Sequence, residues 1–154
     1  MRILKTLLAG ICLALTGNTL AAPAPWLQQS NSLNLGLFVW VSEDCPFTET
    51  EASSQIGSEF RKARLTPTDS LELNMTVSVD CMVIESNDNE KMGTAVYVDN
   101  RFGTQLVDGS NVLYEEPNNG MFLIVSADEP KSRFMYHIQQ SAKDAIKDYV
   151  DSNR

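Results

Sequence analysis

The sequence predicts an α+β fold. We expect a two-layer sandwich whose mixed four- to five-stranded sheet, in the order β-α-β-β-β-β-α, carries two helices on one face. Three observations predict it. Leu71 to Val83 alternates apolar and polar residues, as a strand with one wet face does. Two segments, one from Ala52 to Ala63 and one from Met135 to Tyr149, repeat apolar residues at helical spacing. Cys45 and Cys81 fall where a parallel strand–helix–strand crossover would bring two strand ends together.

Size and charge narrow the possibilities. The chain has 154 residues, 43% hydrophobic and 21% charged, which suits one ordinary core and not two. Twelve Lys and Arg stand against 20 Asp and Glu, a net charge of −8 with no basic cluster. Phosphate would repel such a chain, which argues against nucleic acid and anionic membrane surfaces as partners.

The N-terminus reads as a secretory signal over residues 1–21. Arg2 and Lys5 precede an apolar run from Thr6 to Leu15, and Thr19 and Ala21 are the small residues before the expected cut. The run is about half the length of a membrane-spanning helix, so no integral membrane segment is expected after its removal. Cys12 lies inside this run and leaves with it. Residues 22–32, rich in Pro, Gln and Ser, form a flexible lead-in, and residues 33–154 form the single domain.

The first strand runs from Leu33 to Val41 and stops at Ser42-Glu43-Asp44. Thr48-Glu49-Thr50-Glu51 has the spacing of a capping box, with Phe47 placed to staple onto Ala52, so a helix begins there. Its acids, Glu49 and Glu51, suit a solvated first turn better than a catalytic pair. Ala52, Ile56, Phe60 and Ala63 carry its apolar stripe up to about Arg64. The second strand spans Leu71 to Val83, and Ser86 to Lys91 is a turn without calcium-loop spacing. A third strand covers about Thr94 to Val107, with a bulge or break expected at Arg101 to Gly103. Asp108-Gly109 turns into a short fourth strand, Asn111 to Glu115, and Glu116 to Gly120 into a fifth, Met121 to Ala127. The last helix spans about Glu129 to Ser152, with Asp128 as its expected cap and Pro130 in its first turn.

With Cys12 discarded, Cys45 and Cys81 remain. An even pair in an oxidising compartment predicts a disulfide, and two cysteines allow one connectivity within the chain. Two thiols and the one histidine, His137, do not make a closed zinc site, and His137 lies off the apolar stripe of its helix. There is no G-x-S-x-G elbow, phosphate-cradling glycine loop or H-E-x-x-H. We therefore assign no catalytic residue, no metal ligand and no cofactor.

Three local features together resemble small secreted or periplasmic bacterial α+β domains of unknown function. They are the early strand entering Glu43-Asp44-Cys45-Pro46, the helix closing on Phe60-Arg61-Lys62-Ala63-Arg64, and the ending Asp148-Tyr149-Val150-Asp151-Ser152-Asn153. The resemblance implies a periplasmic or extracellular location and transfers no catalytic residue. At the level of the fold alone, the strand–helix–strand start is similar to accessory domains of envelope-assembly proteins.

The expected function is a non-enzymatic binding or envelope-accessory domain, disulfide-stapled, with a protein partner. The alternatives are an acidic inhibitor of a cationic enzyme, drawn in by charge, and a small hydrolase using two carboxylates. The candidate interface is Phe38 and Trp40, opposite in phase to Leu37, Val39 and Val41, together with Met82 and Ile84, which extend the wet phase of the second strand. Parallel pairing is expected to bring Met82 and Ile84 near Trp40. Two readings compete for this patch. Either Trp26 and the lead-in fold back over it, or it receives a partner or a second copy.

Overall fold

The computed structural model describes residues 24–114 and 119–154. The expected signal segment and the residues 115–118 lie outside the described residues. A 3₁₀ turn at Pro25–Leu27 leads into β1 (Asn34–Val41), α1 (Glu49–Lys62), β2 (Thr66–Thr68) and β3 (Asn74–Glu85). Then follow β4 (Lys91–Gln105), β5 (Asn111–Leu113), β6 (Met121–Ser126) and α2 (Lys131–Ser152). The sheet is α+β, mixed and open, in the order β2-β1-β3-β4-β5, with β6 also on β4. Its extra strand over the expected count is β2, three residues pairing in parallel with Asn34–Gly36.

Local chemistry explains where α1 starts and stops. Thr48 Oγ1 accepts the Glu51 N–H at 3.3 Å, and Glu51 Oε2 accepts the Thr48 N–H at 2.8 Å, a reciprocal capping box. At the far end Leu65 N–H donates to the Phe60 carbonyl and Arg64 N–H to the Arg61 carbonyl. This Schellman closure requires a left-handed residue, and Arg64 supplies it at φ 63°. Ala52, Ile56 and Phe60 are completely buried beneath α1.

The helix α2 starts later than its sequence suggests. Asp128 does not cap it; its Oδ1 accepts the Ser126 hydroxyl at 2.5 Å and closes the turn after β6. Pro130 takes the N-cap position instead of the first turn. Phe134, Ile138, Ala142, Ala145, Ile146 and Tyr149 form the buried stripe. Phe134 rather than Met135 leads it, packing beside Phe47 with ring centroids 6.0 Å apart.

The crossover from β1 through α1 to β3 is parallel, and β3, β4, β5 and β6 pair antiparallel. At 15 residues, β4 is long enough to hold two short partners on its outer side. Gly93–Val98 pair with β6 and Gly103–Gln105 with β5. β4 neither bulges nor breaks at Arg101 to Gly103. Gly103 serves a close approach instead, because a Cβ there would collide with the Val112 carbonyl of β5. The register shift falls instead at Ile84/Glu85.

One phase of the sheet packs under both helices. Leu35, Met75, Val77, Val79, Val96, Val98 and Phe102 are at most 1% exposed there. Two buried polar residues of β4, Thr94 and Asn100, share that layer. Asn100, fully buried, donates through Nδ2 to the Asn119 carbonyl and to Ser141 Oγ, both at 2.6 Å. Beyond the end of β1, Cys45 is joined to Cys81 by a disulfide, with α-carbons 5.0 Å apart.

Candidate functional site

The face of the sheet away from the helices is the candidate site, and strand register decides which side chains share it. Gly36 pairs with Asn74, and a Cβ on Gly36 would run into the Ser70 carbonyl and Asn74, so this close approach needs glycine. From there the open face reads in rows across the strands. Phe38, Thr76 and Arg101 make one row, and Trp40, Ser78 and Asp99 the next. Asp80, Tyr97 and Phe122 follow, then Met82, Ala95 and Ile124, and finally Ile84, Gly93 and Ser126.

Phe38, Trp40, Met82 and Ile84 therefore all lie on this face, but not side by side. Trp40 sits opposite Ser78, which corrects the expected closeness to Met82 and Ile84. Met82 lies four positions beyond Ser78, about 13 Å along a strand at ~3.3 Å per residue. Asp80 stands between them, and an Asp99–Arg101 ion pair of 2.7 Å borders the Trp40 row. Parallel pairing was legible in the sequence; its register depends on the close contact at Gly36.

The larger apolar zone has members that sequence reasoning missed. Tyr97 is 42% exposed, and Phe122 and Ile124 are each 66% exposed, beside Met82 at 65%. Ala95 lies between Met82 and Ile124 and is buried beneath them. A signal existed in Met121-Phe122-Leu123-Ile124-Val125, which is apolar in both phases and so cannot be covered on one face only. What the sequence did not reveal is that this strand pairs with the first half of β4, next to Tyr97.

Trp26 and the described part of the lead-in, residues 24–32, do not cover the patch. Leu27 is completely buried, and its carbonyl accepts from Asn153 Nδ2 at 2.9 Å, at the end of α2. Gln29 N–H donates to Asn153 Oδ1 at 2.9 Å, and the Tyr149 hydroxyl donates to the Ser32 carbonyl at 3.1 Å. Trp26 stacks edge-on against Tyr114, ring centroids 4.6 Å apart. All of these anchors belong to the helix side. Trp40 is accordingly 51% exposed and Phe38 36%.

Two open clefts lie elsewhere. One, of about 450 Å³, is lined by residues including Trp26, Asn31, Asp69, Glu72 and Tyr114. Both its acids are exposed. The other, of about 540 Å³, lies beside the disulfide between Phe47, Glu49 and Lys131. Among the described residues the buried acid is Glu59, which accepts from Lys62 at 2.6 Å and from Gln139 Nε2 at 2.5 Å, tying α1 to α2. His137 stacks edge-on with Tyr136. Among the described residues no group of three His, Cys, Asp or Glu side chains is placed to hold a metal ion. No helix among them is long and apolar enough to cross a membrane.

No protein-family model matches the chain, and neither does any curated protein. Among solved structures it is similar to rare lipoprotein B from Shewanella oneidensis, at 10% identity and a TM-score of 0.35. That match covers 76% of this chain and 92% of the other. It is also similar to a minor lipoprotein from Acinetobacter baumannii, at 9% identity and a TM-score of 0.36, covering 78% and 91% of the two chains. At such TM-scores neither likeness carries a functional argument.

Proposed function

We propose that this is a protein-binding domain of an oxidising compartment, periplasmic or extracellular, and that it binds through the open face of its sheet. One observation carries the reading: Trp40, Met82, Tyr97, Phe122 and Ile124 all present large, exposed apolar side chains on a single sheet face. Exposed apolar groups rimmed by polar residues mark interfaces, and aromatic anchors supply most of the binding energy there. The polar rim here is Thr76, Ser78, Asp80, Asp99 and Arg101. The Cys45–Cys81 disulfide supports the compartment, since such bonds persist where thiols are not kept reduced.

The hydrolase alternative lacks support, because the acids in the open clefts are solvated and the buried Glu59 is engaged by Lys62 and Gln139. The test of binding is capture of proteins from the chain's own envelope or culture fraction. Wild type is compared with Met82→Glu, whose side chain is already 65% exposed, so the monomer stays folded. The reading expects a protein held by wild type and lost by Met82→Glu. An unchanged captured set counts against it.

A further inference from the structure

The two edges of the sheet are built differently. At one edge, β2 is three residues long and carries Pro67, which has no N–H to offer a neighbour. At the other, β6 runs six residues as Met121-Phe122-Leu123-Ile124-Val125-Ser126, with no charge, no proline and no register break against β4. Natural edge strands usually carry at least one of those guards. Gly93 of β4 lets this strand lie close, since a Cβ there would meet the Val125 carbonyl.

Backbone parity fixes which groups of β6 have no strand partner among the described residues. Ala127 N–H donates to the Met92 carbonyl, so Met121, Leu123 and Val125 share its direction toward β4. The N–H and C=O groups of Phe122 and Ile124 therefore point outward, and their side chains stand on the open face. Phe122 and Ile124 are both apolar, so a strand that lies beside them without burying a charge is itself apolar. β6 itself meets that description in matching number. We propose that β6 pairs antiparallel with β6 of a second copy, about a two-fold axis passing through Leu123.

In this register Phe122 faces Ile124 of the second copy and Ile124 faces its Phe122. Both are hydrogen-bonded pairs, so four outward N–H groups meet four carbonyls. The paired side chains lie on the same face and join the two Met82–Tyr97 zones into one apolar floor. Leu123 meets its own counterpart in a non-hydrogen-bonded pair, with α-carbons about 4.5 Å apart. No charged residue of β6 opposes another, so the net charge of −8 on each copy acts only at a distance and is screened by salt. The inference deepens the binding role of the open face by naming an occupant for one end of it.

The experiment is sedimentation of the full chain across a concentration series, at low and at moderate salt. A dimer that strengthens with salt is expected, and Ile124→Lys should convert it to monomer with the far-ultraviolet spectrum unchanged and a melting temperature equal to that of wild type diluted to monomer. Leu123→Cys should form a covalent dimer on mild oxidation, as the two-fold register requires. A chain that stays monomeric at every concentration overturns the pairing, as does a dimer indifferent to Ile124→Lys. The pairing also fails if dimers form but Leu123→Cys does not cross-link them. Met82 lies on β3, two strands inside the edge, so its effect on capture of other proteins separates failure of the pairing from failure of the binding role.

Discussion

Arg64 occupies a left-handed conformation that only glycine adopts without steric cost, at the closure of α1. Arg64→Gly should therefore stabilise the protein by about 0.5–1 kcal/mol, measured as a shift in urea midpoint at constant slope. A destabilised variant would mean that the arginine side chain contributes more than its backbone costs. The disulfide belongs to the same scale. Its 36-residue separation limits the unfolded chain, and replacing Cys45 and Cys81 together with Ser should cost about 2–4 kcal/mol while the sheet persists. Loss of the far-ultraviolet signal at room temperature would show that the bond is needed for folding itself. Both features differ in how legible they were. The cysteine pair announced itself by elimination, and Thr48-x-x-Glu51 by spacing, because each depends on residues close in sequence or unique in type. The glycines at 36, 93 and 103 gave no such signal, since their need arises from backbone carbonyls distant in the chain, those of Ser70, Val125 and Val112.

At the scale of elements, the first turns of the two helices are linked. Lys131 Nζ donates to Glu51 Oε1 at 2.8 Å, and Glu51 also closes the α1 capping box. The hydrogen bond from Lys131, and after it the Thr48 N–H, hold the Glu51 carboxyl down from the usual 4.5 to about 2. A depressed carboxylate contributes stability that is complete above about pH 4.5 and disappears as pH falls through about 2. Glu51→Gln should flatten that part of the thermal-stability profile. An identical acid limb in the variant would show that Glu51 does not carry it. Amphipathic spacing made both helices and the long β3 readable from sequence. Pairing partners were harder, because register and neighbours are set by contacts between residues distant in the chain. So β2, three residues beside a proline, went unseen, and Asp128 looked like a cap although the turn after β6 uses it.

At the scale of the molecule, the helices and the described part of the lead-in gather on one side of the sheet, and no described segment covers the other. The sequence showed that Phe38, Trp40, Met82 and Ile84 would lie off the helix-covered phase; it did not show Tyr97, Phe122 and Ile124 beside them, because that grouping depends on β6 joining β4. An apolar face implies that binding depends little on ionic strength. If the acidic charge drew in a cationic enzyme instead, the association rate would fall steeply with added salt. The most direct measurement is capture from the native envelope or culture fraction, with wild type, Met82→Glu and Trp40→Ser compared at matched melting temperature. The account predicts a specific protein retained by wild type, lost with Met82→Glu and weakened with Trp40→Ser. Equal retention by all three folded proteins would contradict it.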